Sequence, residues 1–394
     1  MGCIVTGYKY VKKYCDMIKK HKDALIIVGN SVATSIPKIL MNDTKSDIGV
    51  MREGDITIVD LLNSIENNTS LNKVKGIFYK DNNKIIFTEE RELIQNIDEL
   101  PMIKYDLFDM NVYIEKCKYN VLELYPIPFD EIRALPINTA RGCPYNCTFC
   151  YHVFKGKKYR YRSVENIGNE INFLKKKYDI NYISFFDELT LNSKKRANDV
   201  SEYFLDNNIN IFWGADCRSD LLGKNDLDLA LKLKESGCTF LGYSLESSDD
   251  EILKAMNKHL TVDEFIIQTK ILKKAGIVPS TSLVVGYPQE TPKTLQKTFD
   301  CCYECRVYPS MGYLLPQPST PMYEYALKNN KIKDEEEYLL KIGDRQDFTV
   351  NLTNMKQKEI ENIVEENLLK ISKKLNLSLD KKNLIKTGHH IQKK

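Results

Sequence analysis

The sequence predicts an α/β protein with a partial (β/α)6 barrel, which follows a truncated Rossmann-like β/α unit and precedes a helical C-terminal segment. Two observations predict this class. Between residues 135 and 315, six short apolar runs alternate with segments of helical period, which is typical of a parallel sheet with right-handed crossovers. Of the 394 residues, 42% are hydrophobic and 28% are charged, as in a globular protein rather than a disordered or disulfide-dense one.

The six apolar runs are the predicted barrel strands. They are Leu135–Ala140, Tyr182–Phe186, Ile209–Trp213, Thr239–Leu245, Val278–Val285 and Val307–Leu315. Helix boundaries lie between them: Thr261 and Glu264 have the spacing of a capping box, and Gly276 stands where a helix-ending glycine belongs. Six units fit an incomplete barrel, so we expect the functional side chains at the carboxyl ends of the strands.

The first hundred residues predict a smaller β/α unit, because Cys3–Gly7, Ala24–Gly29 and Asp47–Val50 are short apolar runs. Phe78–Phe87 is a predicted hairpin, and Ile360–Leu375 has the apolar period of an amphipathic helix. We therefore expect four parts: a truncated β/α domain (1–75), a hairpin and linker (76–132), the barrel (133–322) and a helical extension (323–394).

Charge and hydropathy argue against two classes of partner. The formal net charge is +3, so binding to bulk nucleic acid or to an anionic membrane is not expected as the main role. No apolar run approaches the roughly 18 residues that a membrane-spanning helix needs, and Met1–Tyr10 lacks the pattern of a signal peptide. We therefore expect a cytoplasmic protein whose eleven cysteines are thiols or metal ligands.

Three of the cysteines form one compact motif. Cys143, Cys147 and Cys150 have the spacing C-x3-C-x2-C, and three soft thiolates suit an iron–sulfur cluster that keeps one iron open to another ligand. The alternative is a zinc site with His152 as the fourth ligand. We interpret the other eight cysteines as packing residues, including the three in Cys301–Cys305, which lie on the face of an amphipathic helix.

At these three cysteines the sequence resembles the radical S-adenosylmethionine (SAM) superfamily, and the resemblance extends over about residues 130–325. It implies that Cys143, Cys147 and Cys150 hold a 4Fe–4S cluster whose open iron binds SAM. In that family one electron, from a donor such as flavodoxin or ferredoxin, leads to cleavage of SAM into methionine and a 5′-deoxyadenosyl radical. Asp187 and Glu188 match the strand-two motif that meets the amino group of the methionine.

Further contacts to SAM are implied by the same resemblance. Arg218 is similar to the strand-three arginine that faces the methionine carboxylate, while Glu246 and Ser247 are similar to the strand-four pair that binds the ribose. Gly286 begins a segment that resembles the strand-five motif G-x-P-x-E-T, which supports adenine. Tyr151, beside the last cysteine, is expected to shield the cluster or to pack on adenine.

The N-terminal region resembles the back half of the cobalamin-binding domain of cobalamin-dependent radical enzymes, such as methyltransferases and the anaerobic porphyrin ester cyclase. The similar segments are Ile27–Thr34 and Arg52–Asp55. Asn30 replaces the usual second glycine, Val32 stands at the following histidine position, and the D-x-H-x-x-G loop of those relatives has no counterpart here. These departures argue against cobalamin and leave two alternatives open, a cobalamin-binding unit or a lid.

The leading hypothesis is therefore a radical SAM enzyme that methylates or otherwise modifies an unreactive carbon of a small-molecule or peptide substrate. One alternative is a non-catalytic iron–sulfur or zinc protein that uses the same three cysteines structurally. Another is a tRNA-modifying methylthiotransferase relative, which would need three more cluster cysteines upstream; Cys3, Cys15 and Cys117 are badly spaced for that role. The sequence identifies neither the substrate nor a catalytic residue beyond the cofactor contacts.

Overall fold

A computed structural model of the chain describes residues 1–82, 84–122, 125–377 and 379–385. This part of the chain contains twelve strands. In chain order they are β1 (Ile27–Val28), β2 (Ile48–Val50), β3 (Ile77–Asp81), β4 (Lys84–Phe87), β5 (Ala134–Ile137), β6 (Ala140–Arg141), β7 (Arg160–Tyr161), β8 (Tyr182–Phe185), β9 (Phe212–Asp216), β10 (Cys238–Gly242), β11 (Val278–Val285) and β12 (Pro309–Tyr313).

Fourteen α-helices lie in the same described ranges. They are α1 (Tyr8–His21), α2 (Ser31–Ser35), α3 (Pro37–Asp43), α4 (Asp55–Glu66), α5 (Met110–Cys117), α6 (Val164–Tyr178), α7 (Lys194–Asp206), α8 (Leu227–Glu235), α9 (Asp250–Ala255), α10 (Val262–Lys274), α11 (Pro292–Cys305), α12 (Pro321–Lys328), α13 (Glu335–Lys341) and α14 (Gln357–Lys374). None of these described helices combines the length and the apolarity that a bilayer crossing requires.

The six predicted barrel strands form one sheet, in the order β12–β11–β10–β9–β8–β5, and every neighbouring pair in it is parallel. The predicted α/β class and partial (β/α)6 barrel are confirmed. The strand bounds differ by a few residues from the apolar runs. For example, β9 continues to Asp216, which pairs with Gly242 of β10, because pairing with the neighbouring strand extends past the last apolar residue.

The two faces of this sheet carry side chains of different size, because side chains alternate along each strand. On one face, Phe185 and Trp213 pack against Phe204 of α7, with ring centroids 6.4 and 6.1 Å from that of Phe204. On the opposite face, Gly214 lies under the ring of Phe240, where a Cβ atom would overlap the ring. The first face is therefore covered by a helix, and on the opposite face a glycine makes room for the aromatic ring of the neighbouring strand.

The local signals between the strands are also confirmed. Thr261 and Glu264 form a capping box at the start of α10, and Gly276 follows that helix with φ +74°. The predicted C-terminal amphipathic helix is α14, which packs on α11. Its Asn367 exchanges two amide hydrogen bonds of 2.9 and 3.0 Å with Gln296 of α11.

The N-terminal strands form a mixed four-stranded sheet in the order β1–β2–β3–β4. β1 and β2 are parallel, whereas β3 pairs antiparallel with both β2 and β4. The predicted hairpin is thus confirmed as β3 and β4. It forms part of the N-terminal sheet. The core below this sheet consists of Ile48, Val50, Leu61, Val74 and Ile77.

One predicted strand is wrong. Cys3–Gly7 is not a strand, because its last three residues form a 3-10 helix. Gly2 makes an isolated parallel bridge to Gly29, and the chain then leaves the sheet edge. The backbone N–H of Val5 donates to Ser31 Oγ at 2.8 Å, so a side-chain oxygen takes the hydrogen bond that a strand would have given to its neighbour.

The chain divides into two compact units. The first consists of residues 1–95, 146–157 and 314–352, and the second of residues 96–145, 158–313 and 353–394. The cysteine motif is shared between them, since Cys143 belongs to the second unit while Cys147 and Cys150 belong to the first. The four-part division inferred from the sequence stays a prediction.

Replacing Gly214 by alanine should destabilise the second unit, because the added Cβ overlaps the ring of Phe240. We expect a loss of about 1–3 kcal/mol, as for other overpacked cores. The fluorescence of Trp213, the one tryptophan of the chain, can follow urea unfolding. Gly343→Ala is the matched control, since no atom lies within 4 Å of its added Cβ. An unchanged unfolding midpoint for Gly214→Ala would contradict this account of the sheet.

Candidate active site

The Asp187 carboxylate holds the loop that leads from β5 to the first cysteine. It accepts hydrogen bonds from Thr139 N (2.7 Å), Thr139 Oγ1 (2.6 Å) and Ala140 N (3.0 Å). A fourth donor, Thr190 Oγ1, lies 3.1 Å away. All its partners are in the second unit, so the end of β8 fixes the backbone three residues before Cys143.

Glu188 extends the same attachment toward the cysteine. Its carboxylate accepts from the backbone N–H of Gly142 at 3.3 Å, directly before Cys143. Gly142 has φ +88°, a backbone conformation that a side chain would strain. The strands β6 and β7 pair antiparallel around this loop start. The structure therefore brings Asp187 and Glu188 together at the Cys143 loop.

The other two cysteines lie in a segment of the first unit that is organised by a lysine. The ammonium group of Lys155 donates to the backbone carbonyls of Cys147 and Cys150, both at 2.8 Å. Burial lowers the pKa of Lys155, whereas the two neighbouring thiols act in the opposite direction. The backbone N–H of Met322 donates to the carbonyl of Thr148 at 3.3 Å, which attaches the segment to the start of α12.

All eleven cysteines are present as thiols rather than as disulfides. Cys143 and Cys147 are half-buried, and Cys150 is exposed. Among the described residues, no group of three His, Cys, Asp or Glu side chains is arranged as a metal site. The donor chemistry still fits an iron–sulfur cluster, since the motif offers three accessible thiols within eight residues. The role of the three cysteines stays a prediction. The terminal pair His389–His390, whose imidazoles could also bind a metal, lies outside the described residues.

Two aromatic side chains follow the last cysteine in the first unit. Tyr151 is half-buried, and burial raises its pKa to about 12. His152 is buried, its ring nitrogens have no hydrogen-bond partner among the described residues, and burial lowers its pKa to about 4. His152 is therefore a neutral imidazole at neutral pH. The expected packing of Tyr151 on a cluster or adenine stays a prediction.

The guanidinium of Arg218 is held by groups of its own unit. Its Nε donates to Asp220 at 3.1 Å, and its Nη2 donates to the backbone carbonyls of Lys258 (2.8 Å) and His259 (2.7 Å). The guanidinium carbon also lies 3.8 Å from the centroid of the Tyr145 ring. Nε and Nη2 of Arg218 are thus engaged by groups of the protein itself. Its predicted contact to the methionine carboxylate stays a prediction.

Glu246 and Ser247 follow β10 but face different surroundings. Glu246 is buried, accepts a hydrogen bond from Lys258 Nζ at 2.9 Å, and has a strained φ of +62°. Ser247 is fully buried, where its hydroxyl accepts from the backbone N–H of Asp249 and lies 3.4 Å from Thr298 Oγ1. Lys258 thus binds both residues, since its ammonium group donates to Glu246 and its backbone carbonyl accepts from Arg218. The hydroxyl of Ser247 instead accepts from the backbone directly before α9. The predicted ribose contacts stay predictions.

Gly286 ends β11 and is fixed by a buried carboxyl group. Its backbone N–H donates to Glu290 Oε2 at 2.6 Å, and Gly286 itself has φ +103°. Burial raises the pKa of Glu290 to about 8, although the hydrogen bonds from the backbone act in the opposite direction. The folded protein therefore favours the protonated form of Glu290. Its hydrogen bond to Gly286 shapes the turn in the segment that resembles the G-x-P-x-E-T motif.

Sequence reasoning missed Arg196, a buried cation on α7. Its side chain stacks on Tyr161 with 4.7 Å between guanidinium carbon and ring centroid. Arg196 is 4% exposed, and its Nε and Nη2 have no partner among the described residues. Burial lowers its pKa, while the nearby Tyr159 and Asp187 act to raise it. No sequence signal marks this residue, because an arginine on an amphipathic helix is ordinarily solvent-facing.

Comparisons with known proteins agree with this architecture. Residues 137–302 match the family model described as the radical SAM superfamily. An uncharacterized methyltransferase of Pyrococcus horikoshii is 30% identical over 313 residues, which cover 79% of this chain and 64% of that protein. An anaerobic magnesium-protoporphyrin IX monomethyl ester cyclase of Rubrivivax gelatinosus is 25% identical, covering 70% of this chain and 48% of that one. The chain therefore spans about half to two thirds of the length of these curated relatives.

The fold is also found in a solved structure. The radical S-adenosylmethionine methyltransferase TsrM of Kitasatospora setae, described with cobalamin and a [4Fe–4S] cluster bound, superposes with a TM-score of 0.65. The match covers 83% of this chain and 64% of that one, at 16% identity. At this identity the similarity concerns the fold alone.

Glu290 should make the stability of the protein depend on pH. Its folded pKa is raised, so its stabilising contribution is complete below the pKa of an unfolded glutamate and is lost as pH rises toward about 8. The loss is on the order of a few kcal/mol, at about 1.4 kcal/mol for each unit of pKa difference. We expect Glu290→Gln to flatten the fall of the melting temperature between pH 5 and pH 8.

The control for this measurement is Glu251→Gln, which removes an exposed carboxylate from α9. It should keep the pH dependence of the unsubstituted protein. If Glu290→Gln and the unsubstituted protein lose stability in parallel as pH rises, the carboxyl group is not the buried acid that its surroundings indicate.

Proposed function

The chain carries a radical SAM domain over residues 137–302, and from this premise we propose that it is a radical enzyme. It would use a 4Fe–4S cluster to cleave SAM reductively and would modify an unreactive carbon of its substrate. We propose Cys143, Cys147 and Cys150 as the cluster ligands. The observation that carries the proposal is the fixation of the cysteine loop, whose backbone is hydrogen-bonded immediately before Cys143 and again at Cys147 and Cys150.

A loop fixed in this way suits a cluster, because less of the free energy of metal binding is then needed to order the loop. When bound, the cluster supplies the electron and the open iron that cleavage of SAM requires. Asp187 and Glu188 hold the first cysteine's loop to the end of β8. Lys155 holds the backbone carbonyls of the second and third cysteines.

The remaining site residues shape the carboxyl end of the sheet. The buried pair of Glu246 and Lys258 fixes the segment after α9, and Arg218 is attached to the same segment. Glu290 fixes the turn at Gly286. In the proposed enzyme these residues form the floor and walls against which SAM binds, and an external flavodoxin or ferredoxin in the cytoplasm supplies the electron.

A second candidate, cobalamin-dependent methyl transfer, is favoured by a cavity in the first unit. The cavity has a volume of about 530 Å³ and is mostly apolar. It is lined by Met1, Gly2, Leu25, Ile27, Gly29, Val50, Gly54, Asp55 and Ile58. Asn30 adopts φ +71° and ψ −159°, a backbone conformation in which glycine is usual. An apolar lining of this kind would suit the flat aromatic base of a corrinoid's nucleotide tail, which supports the relation to methyltransferases.

Cys147→Ala should abolish both the cluster and the cleavage of SAM. The experiment is anaerobic reconstitution with iron and sulfide, followed by dithionite and SAM, with iron content, the spectrum and 5′-deoxyadenosine as readouts. Cys117→Ser is the control, because this half-buried cysteine lies outside the motif and should leave both signals intact. The non-catalytic alternative would be supported if the unsubstituted protein binds zinc. It would also be supported if the spectrum of its cluster does not change when SAM is added.

Gly54→Leu should prevent retention of cobalamin. An added Cβ at Gly54 has room, with its nearest contact at 3.9 Å from Val50, so a leucine side chain can enter the cavity without disturbing the sheet. We expect hydroxocobalamin to co-purify with the unsubstituted protein and with Gly343→Leu, but not with Gly54→Leu. If the unsubstituted protein retains no corrinoid, plain hydrogen abstraction is the better proposal.

A further inference from the structure

The three cysteines at the end of α11 do not share one environment. Cys302 is fully buried, which fits a packing residue. Cys301 and Cys305 are only half-buried, so part of each residue is exposed to water. They are four positions apart, which places them on the same face of the helix, one turn from each other. These two cysteines therefore form a pair, and the site described above uses neither of them.

The two thiols of this pair interact with each other. A hydrogen bond with Cys301 is the main cause that lowers the pKa of the Cys305 thiol to about 7, although burial acts in the opposite direction. The same hydrogen bond raises the pKa of Cys301. At neutral pH Cys305 is therefore a thiolate in a large fraction of the molecules, and Cys301 is the protonated partner that donates to it.

The neighbouring helix α10 brings positive charge to the end of α11. The ammonium of Lys273 donates to the backbone carbonyl of Cys305 at 2.6 Å, and the charges of Lys273 and Lys270 both favour the Cys305 thiolate. The carboxylate of Glu304 acts against it, but this group is paired with Lys374 of α14. A thiolate beside cations is the form of cysteine that attacks other sulfur atoms.

The position of the pair at the end of the helix allows the two sulfur atoms to be joined. Cα atoms four residues apart in an α-helix are about 6 Å from each other. Cysteines in disulfides have Cα separations of roughly 4.4–6.8 Å. Cys305 is the last residue of α11, and Arg306 after it adopts φ +53°, so no further helical turn has to adjust when the bond forms.

We propose that Cys301 and Cys305 are a reversible thiol–disulfide pair, which low-molecular-weight disulfides such as oxidised glutathione modify. The Cys305 thiolate attacks one sulfur of the reagent, whose S–S bond breaks, and one glutathione leaves as a thiolate that takes up a proton. Cys301 then attacks the Cys305 sulfur, and its proton goes to the second glutathione, which leaves. Two protein thiols are oxidised to one disulfide, and oxidised glutathione is reduced to two thiols.

The test uses a single peptide, because trypsin releases residues 298–306 with all three cysteines of α11 in it. The reconstituted full-length protein is treated anaerobically with oxidised glutathione, then unfolded, alkylated and digested, and mass spectrometry counts the alkylated thiols. We expect one alkyl group, on Cys302, and an internal disulfide that dithiothreitol reverses. Cys301→Ser should retain glutathione on Cys305. Cys305→Ser should react about tenfold more slowly and leave its remaining thiols free for alkylation.

Matched variants separate the pair from its surroundings. Cys302→Ala should still form the disulfide, because Cys302 is not a partner in it. Lys273→Gln should slow the reaction severalfold, whereas Lys273→Arg keeps the charge and should keep the rate.

The proposal is overturned if all three thiols stay alkylatable at a glutathione disulfide concentration that modifies the unfolded protein. It is also overturned if glutathione remains on Cys305 of the unsubstituted protein, since Cys301 would then not complete the exchange. None of these readouts involves SAM or the cysteine motif, so their outcome is independent of the proposed radical function.

Discussion

The hydrogen bonds of the Asp187 carboxylate are the interaction on which the architecture of the second unit's site depends. They join the end of β8 to the loop that leaves β5. Hydrogen bonds to a charged group contribute about 1.5–3 kcal/mol each, so several together can offset the burial of one carboxylate. The pKa of Asp187 is nevertheless raised by burial, so the offset is incomplete. Its oxygens accept hydrogen bonds from this loop, so Asp187 supports the loop structurally, and its predicted contact to SAM stays a prediction.

The two parts of the cysteine segment are stabilised by opposite charges. In the second unit, carboxylates at the end of β8 accept from the backbone N–H groups that precede Cys143. In the first unit, the ammonium of Lys155 donates to the carbonyls of Cys147 and Cys150. Both arrangements satisfy backbone groups that a loop without regular secondary structure leaves unpaired.

Much of the fold could be predicted because its signals are local. Strands with apolar runs, and helices with capping residues such as Thr261, carry their signals within a few neighbouring positions. The predicted strand Cys3–Gly7 was wrong because hydrogen bonds to residues far along the chain, among them Val5 N–H to Ser31 Oγ, hold this segment in another conformation. The cysteine motif could be recognised by spacing, but Arg196 could not. Its importance arises from burial and from missing partners among the described residues, which depend on residues far away in the sequence.

The distribution of charge at the carboxyl end of the sheet favours a cationic ligand. Glu246 with Lys258, and Arg218 with Asp220, are ion pairs that add no net charge to their surroundings. Asp216 has a pKa of about 6, so it is mostly ionised at neutral pH without a counter-ion from the described chain. Such an unneutralised charge attracts a cationic ligand and repels an anionic one.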